Sequence, residues 1–238
     1  MKLKKFAVLL LCAAVMLPLA ACVKKPGGSE NSSGTSSSES TTVTPTKDKD
    51  TSIVATDKSR KGPAVQDLMK GITKGKGVSK KPDSRFENAA ASFALDLFRD
   101  EYKSGRKTLV SPLSVFTALA MTQNGAEDRT LSEMQKTLGG LDRDVLNAYM
   151  NAYLAELTGK DSALKCANSL WIDSRLDVKT SFLQKNADFY SAQAYKADFT
   201  RKNTVNEINS WVNKNTNGMI KKLVDEFDPL TVMVLMNA

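Results

Sequence analysis

The hydrophobic pattern divides the chain into three parts. An unbroken apolar run from Phe6 to Leu19 follows a basic start at Lys2, Lys4 and Lys5. It is too short for a comfortable membrane span and has the layout of a secretion signal. From Gly27 to Thr46 the chain is almost entirely Ser, Thr, Gly, Glu and Pro, and from Lys70 to Lys81 lysines and glycines dominate. Such stretches hold too little apolar surface to offset the entropy of ordering them, so residues 22–84 read as a disordered tether. Periodic apolar positions begin near Ser84 and continue to Ala238.

In that third part six helices are predicted. Ser84-x-x-Glu87 fits a capping box, and Phe86, Ala90, Phe93, Leu97 and Phe98 set one apolar face on a helix ending near Tyr102. Leu109 and Val110 resemble the end of a strand running into a second helix. There Ser111 stands at the N-cap and Pro112 at the first helical position. Leu113, Val115, Phe116, Ala118, Leu119, Ala120 and Met121 leave this helix almost no polar face, which marks a core helix. Gly125 can supply its left-handed end. Ser114 is the exception on it: either a hydroxyl bonded back to its own helix or one member of a buried polar cluster. Thr130-x-x-Glu133 opens a short helix stopped by Gly139 and Gly140. Leu146, Tyr149, Met150, Tyr153, Leu154 and Leu157 form another stripe, and Phe182, Leu183 and Phe189 line a helix from Val178 to Tyr190. Thr204-x-x-Glu207 begins an amphipathic helix with Val205, Ile208, Trp211 and Val212 on one side, ended by Gly218; it belongs on an outer face.

Three strands are predicted between and after these helices: Leu164 to Ile172, Ala192 to Phe199, and Thr231 to Ala238. The last, T-V-M-V-L-M-N-A, is apolar at both parities and so belongs at the centre of a sheet covered on both sides. Such a strand needs neighbours and a covering layer. No residues remain to supply them, so a fragment is expected, with a truncated product as the alternative.

Charge narrows the function classes. The net charge is +8, but residues 85–238 carry 19 basic and 19 acidic side chains. The excess lies in the leader and the tether, so no nucleic-acid-binding surface is expected. The lysine run of the tether is a solvated linker or, alternatively, a contact for an anionic membrane. Histidine is absent, which removes Ser-His-Asp and Cys-His catalysis and His-ligated zinc. No metal-ligand spacing, carboxylate pair or activated nucleophile stands out, so neither an enzyme nor a metal or cofactor site is expected. Cys166 reads as a small buried apolar residue rather than a reactive thiol.

Leu19-Ala20-Ala21-Cys22 resembles the lipobox of bacterial lipoproteins. The resemblance implies a leader of residues 1–21, cut before a lipidated Cys22, and a protein held at the extracellular face of the bacterial membrane. The alternative is an ordinary cleaved signal with an incidental cysteine. Two or more acyl chains would make a stable anchor, at about 0.8 kcal/mol per buried methylene. A flexible tether of about 60 residues would set the domain roughly 40–45 Å away.

From Phe86 to Ala238 the sequence resembles the N-terminal part of the serpin family. The resemblance is carried by F-A-L-D-L-F at Phe93, L-V-S-P-L-S-V at Leu109, G-A at Gly125 with Thr130, and A-N-S-L-W at Ala167. It continues in D-F at Asp198, I-N-S-W-V at Ile208, T-N-G-M-I at Thr216 and V-L-M-N-A at Val234. It implies an α+β serpin fold, incomplete, with the N-terminal helices and first strands of the main sheet in residues 85–238. It also implies that Ser111, Ser114 and Asn237 are shutter residues beneath that sheet, and that the reactive centre lies in a part absent from these residues. Asp128, Met219 and Met236 depart from the family's usual glycine, lysine and valine. The implied partner is a target protease, of the serine class or also the cysteine class, trapped when a cleaved loop inserts into the sheet. A non-inhibitory binding protein and an inert fragment are the alternatives.

Overall fold

The computed structural model describes residues 63–105 and 107–238, together with the backbone of 13–18. Among the described residues the order of elements is β1 (Ala13–Pro18), β2 (Val65–Asp67), α1 (Ser84–Glu101), α2 (Pro112–Gln123), α3 (Asp128–Thr137), α4 (Arg143–Leu157), β3 (Asn168–Asp173), α5 (Thr180–Tyr190), β4 (Gln193–Ala197), α6 (Lys202–Asn215) and β5 (Thr231–Asn237). The strands form one sheet in the order β1-β5-β3-β4-β2. β3 and β4 are parallel, with α5 as their crossover, and every other pair is antiparallel.

The two-faced apolar pattern of β5 explains the layers. Met233 and Leu235 join Leu170 and Ile172 of β3 in a core shared with Phe116 and Met121 of α2 and Phe182 and Leu183 of α5. Val234 and Met236, with Trp171 of β3, face the other way and meet Ile208, Trp211 and Val212 of α6. A strand apolar at both parities is therefore covered on both sides, and α6 lies over the outer face with its one-sided stripe turned inward. β3 holds one edge of β5. On the other edge β1 pairs antiparallel from Ala13 opposite Asn237 to Pro18 opposite Thr231, with an irregularity at Leu17 and Pro18.

Several predicted boundaries shift for physical reasons. α1 is capped by Asp83 rather than Ser84: its carboxylate accepts from the N–H groups of Arg85 and Phe86. The residues before α2 form no strand, and Leu109 is exposed. α2 ends without a left-handed residue at Gly125, whose role is space, since a Cβ there would stand 3.1 Å from the Phe182 ring. Asp128 opens α3 with φ of 50°, a left-handed conformation that glycine takes freely and Asp tolerates, so the turn survives this departure from the family pattern. α6 starts two residues before Thr204, whose buried hydroxyl donates to the Asp198 carbonyl at 2.6 Å instead of capping.

The largest correction concerns the tether. Residues 63–83 are a strap laid across the domain, within the same compact unit. β2 pairs with the outer edge of β4, and the Ala64 carbonyl accepts from the Asp198 N–H at 2.9 Å. Leu68, Met69 and Ile72 pack on the main core. Beyond them the Thr73 carbonyl accepts from Gln184, the Gly75 N–H donates to Asp188 at 2.6 Å, and Asn151 donates to the Gly77 carbonyl and the Ser79 hydroxyl. The Lys80 N–H then reaches the Ala148 carbonyl on α4. Residues 22–62 lie outside the described residues.

The strap ends where α1 begins. Tyr149 of α4 donates its hydroxyl to Asp83 and accepts from Arg85 at 3.1 Å, and Lys80 lies 4.7 Å over the Tyr149 ring. The hydrogen bond from Tyr149, supported by those from Phe86 and Arg85, pulls the Asp83 carboxyl down to about 2. A carboxyl depressed in the folded state adds stability that is complete above the unfolded value near 3.8 and lost as pH falls through about 2. Amide protection factors in the first turn of α1 should therefore fall between pH 4 and pH 2, and Asp83→Asn should flatten that fall. An unchanged slope in the variant would remove Asp83 as its source.

Candidate functional site

α2 carries the two predicted serines into the region beneath β5, against which the helix packs. Ser111 has the extended backbone of an N-cap, yet its hydroxyl caps nothing. It lies 2.9 Å from the hydroxyl of Ser114, which is buried. Of the two readings left open for Ser114, the observed contact is thus side chain to side chain.

β3 and β5 bring a second polar pair to the same side of the sheet. Asn168 shares its parity with Leu170 and Ile172, and Asn237 shares its parity with Met233 and Leu235, all facing the helical core. The register sets the two asparagines directly opposite one another. The Asn237 amide donates to Asn168 at 2.8 Å, and the Asn168 amide donates to the Tyr190 carbonyl at the end of α5 at 2.8 Å. The serines therefore bond to each other and Asn237 bonds to Asn168.

Tyr190 extends the polar chain away from the sheet. Its hydroxyl donates to Asn147 at 2.7 Å, Asn147 donates to Asn124 at 2.7 Å, Asn124 to Asn186 at 3.2 Å, and Asn186 to the Phe182 carbonyl. Every donor points in one sense along the row, an arrangement in which each bond polarises the next. Full burial pushes the Tyr190 hydroxyl far above its ordinary range, so it remains a neutral donor. Neither Asn168 nor these four partners stands out in the sequence, although the strand parity of Asn168 is a usable signal.

Two further buried groups on α2 were also missed. The Thr117 hydroxyl and both polar ends of Gln123 have no hydrogen-bond partner among the described residues. Cys166 is half-buried and desolvation pushes its thiol up, away from the thiolate that reactivity needs. Among the described residues no group of three His, Cys, Asp or Glu side chains is placed to hold a metal, and no helix is long and apolar enough to cross a membrane. Cys22 lies outside the described residues.

Residues 88–238 match the family described as Serpin (serine protease inhibitor). The chain belongs to the serpin family. A serpin-like protein of Thermococcus kodakarensis is 32% identical over 157 residues, covering 63% of this chain and 37% of the relative. Neuroserpin of Homo sapiens is 31% identical over 161 residues, 64% of this chain and 39% of its own length. The chain thus spans less than two fifths of these curated relatives. Among solved structures, the thermophilic serpin tengpin in its native state superimposes with a TM-score of 0.66 at 38% identity, covering 72% of this chain and 45% of tengpin. Tengpin in its latent state gives 0.63 at 40% identity, with 67% and 44% covered. The helices and sheet described here are accordingly an incomplete serpin fold.

In this serpin the polar groups under the sheet form two separate pairs, with unpartnered side chains beside them on α2. A buried hydroxyl without a partner costs about 1–3 kcal/mol. Thr117→Val keeps the branched shape and removes the hydroxyl, so it should raise the urea midpoint, by about 1 kcal/mol in stability. A fall instead would show that the hydroxyl is used by a group beyond the described residues.

Proposed function

We propose that this serpin is a protease inhibitor that works by taking a cleaved reactive loop into its main sheet. The supporting observation is the outer edge of β5, which in the uncleaved chain is paired antiparallel over six residues by β1, a segment of the predicted leader more than 200 residues away in sequence. An edge that accepts a strand in this way, above amides and hydroxyls rather than a closed apolar seam, suits a sheet that must admit a new strand. Buried amides can trade one partner for another, each bond contributing about 0.5–1.5 kcal/mol net. An apolar seam would have to be pulled apart whole.

In this reading the protease supplies the chemistry. It cleaves the loop, which the family resemblance puts beyond Ala238, and the loop then enters the sheet with the protease still attached. The serpin itself turns nothing over. The target is a serine protease, with cysteine proteases as the second class. Incubating the full-length protein with chymotrypsin-like and papain-like proteases should yield complexes that survive SDS and heat. Their absence across a broad panel would leave a binding protein of serpin fold.

We further propose that the lipobox-like Leu19-Ala20-Ala21-Cys22 anchors this inhibitor at the extracellular face of a bacterial membrane. Two acyl chains suffice for stable anchoring where one does not. The mature wild-type protein should enter the detergent phase in a Triton X-114 partition, and Cys22→Ala should stay in the aqueous phase. Equal partition of the two would remove the anchor.

A further inference from the structure

We infer that the N-terminal strap is coupled to the polar seam beneath the sheet through the last turn of α5. The two ends of this link are described above; Tyr190 is the residue that joins them. On the strap side, Asp188 holds the Gly75 N–H at 2.6 Å, and Lys74 donates to the Ser191 hydroxyl at 2.5 Å. These anchors sit at positions two before and one after Tyr190. On the seam side, the Tyr190 carbonyl accepts from Asn168, and Asn168 accepts from Asn237. The link from strap to β5 is therefore continuous: strap backbone, Asp188 and Ser191, Tyr190 carbonyl, Asn168, Asn237.

The local backbone makes this turn sensitive to what holds it. Ser191 ends α5 with φ of 50°, a left-handed conformation that a serine adopts at some cost and that surrounding contacts must maintain. The Tyr190 side chain is fixed in the core by its bond to Asn147, so a release of the strap is expressed in the half-buried Asp188 and exposed Ser191 flanks and in the direction of the Tyr190 carbonyl. The fit is close. A Cβ on Gly77 would stand 3.0 Å from the Phe189 ring and 3.1 Å from the Asp188 carbonyl, so a branched side chain there crowds the strap against α5. A docked strap holds the Tyr190 carbonyl where Asn168 can reach it. A lifted strap weakens that bond and, through it, the hold of Asn168 on Asn237.

This inference rests on the proposed role of the seam as the place where the sheet parts, and its test requires no protease. Amide exchange is measured in the intact protein for wild type, Asp188→Ala, Gly77→Val and Asp188→Asn. Asp188→Ala and Gly77→Val loosen the strap by different means, so misfolding of one leaves the other informative. Asp188→Asn keeps the acceptor oxygen and should behave as wild type. Strap release should speed exchange at least about tenfold in residues 65–80 and at least about threefold in residues 234–237 of β5. In an Asn168→Ala background the same release should leave β5 exchange unchanged, because the link is already cut. Faster exchange confined to the strap and α5 would overturn the inference, as would an equal acceleration of β5 with and without Asn168. Loss of inhibition with this coupling intact would count against the proposed function alone.

Discussion

β5 is buried on both faces, so its backbone can be satisfied only through its two edges. Every N–H and C=O along it needs a partner, because water reaches neither side. β3 takes one edge through a register that also sets Asn168 opposite Asn237. In the uncleaved chain the other edge is taken by β1, a segment of the predicted leader. Most of the architecture follows from this demand. The helical layer and α6 exist to cover the two faces, and the order of strands keeps the two-faced strand away from the short outer strand β2. Once the leader is removed, the edge that β1 held is a strong acceptor for an extended segment of matching length.

The polar pair at Asn168 and Asn237 sits in a place where Leu or Val would pack with less risk. Fully bonded amides cost little in such a setting, and partly bonded ones cost a great deal. Here the pair is fully integrated: it is anchored on the Tyr190 carbonyl, and the tyrosine is anchored in turn on Asn147 of α4, which is bonded on to Asn124 at the end of α2 and Asn186 of α5. The arrangement makes the position of β5 specific. A slip of one residue would turn Asn237 onto the α6 side, among Trp171, Ile208 and Val212, where the apolar cluster would surround its amide.

Much of this was legible in the sequence. The alternation in T-V-M-V-L-M-N-A announced a central strand, and the one-sided stripe from Val205 to Val212 announced an outer helix. Capping boxes were less reliable. At Ser84 the neighbouring Asp83 is the stronger acceptor and is also held by Tyr149, so it wins by one residue. At Thr204 burial turns the hydroxyl inward. Which polar side chains pair beneath the sheet, Ser111 with Ser114 and Asn168 with Asn237, depends on side-chain reach, which spacing alone does not encode. The strap was the least visible element. Its lysine and glycine content matches a solvated linker, while its anchors are backbone groups of Thr73, Gly75 and Gly77. Backbone donors leave no mark in composition, and their partners Gln184, Asp188 and Asn151 lie far along the chain.

The strap also determines how a pull on the N-terminal side would enter the molecule. Tension applied upstream of Pro63 meets the Ala64 carbonyl and the β2 ladder on β4 first, then the Leu68 N–H on the Ala194 carbonyl. Only after these have parted would load reach Thr73, Gly75 and Gly77 on α5 and α4. The contacts nearest Tyr190 are thus shielded by those upstream of them. β2, with three residues, works as a sacrificial seam: it can peel and re-form under small forces while the turn beneath it remains undisturbed.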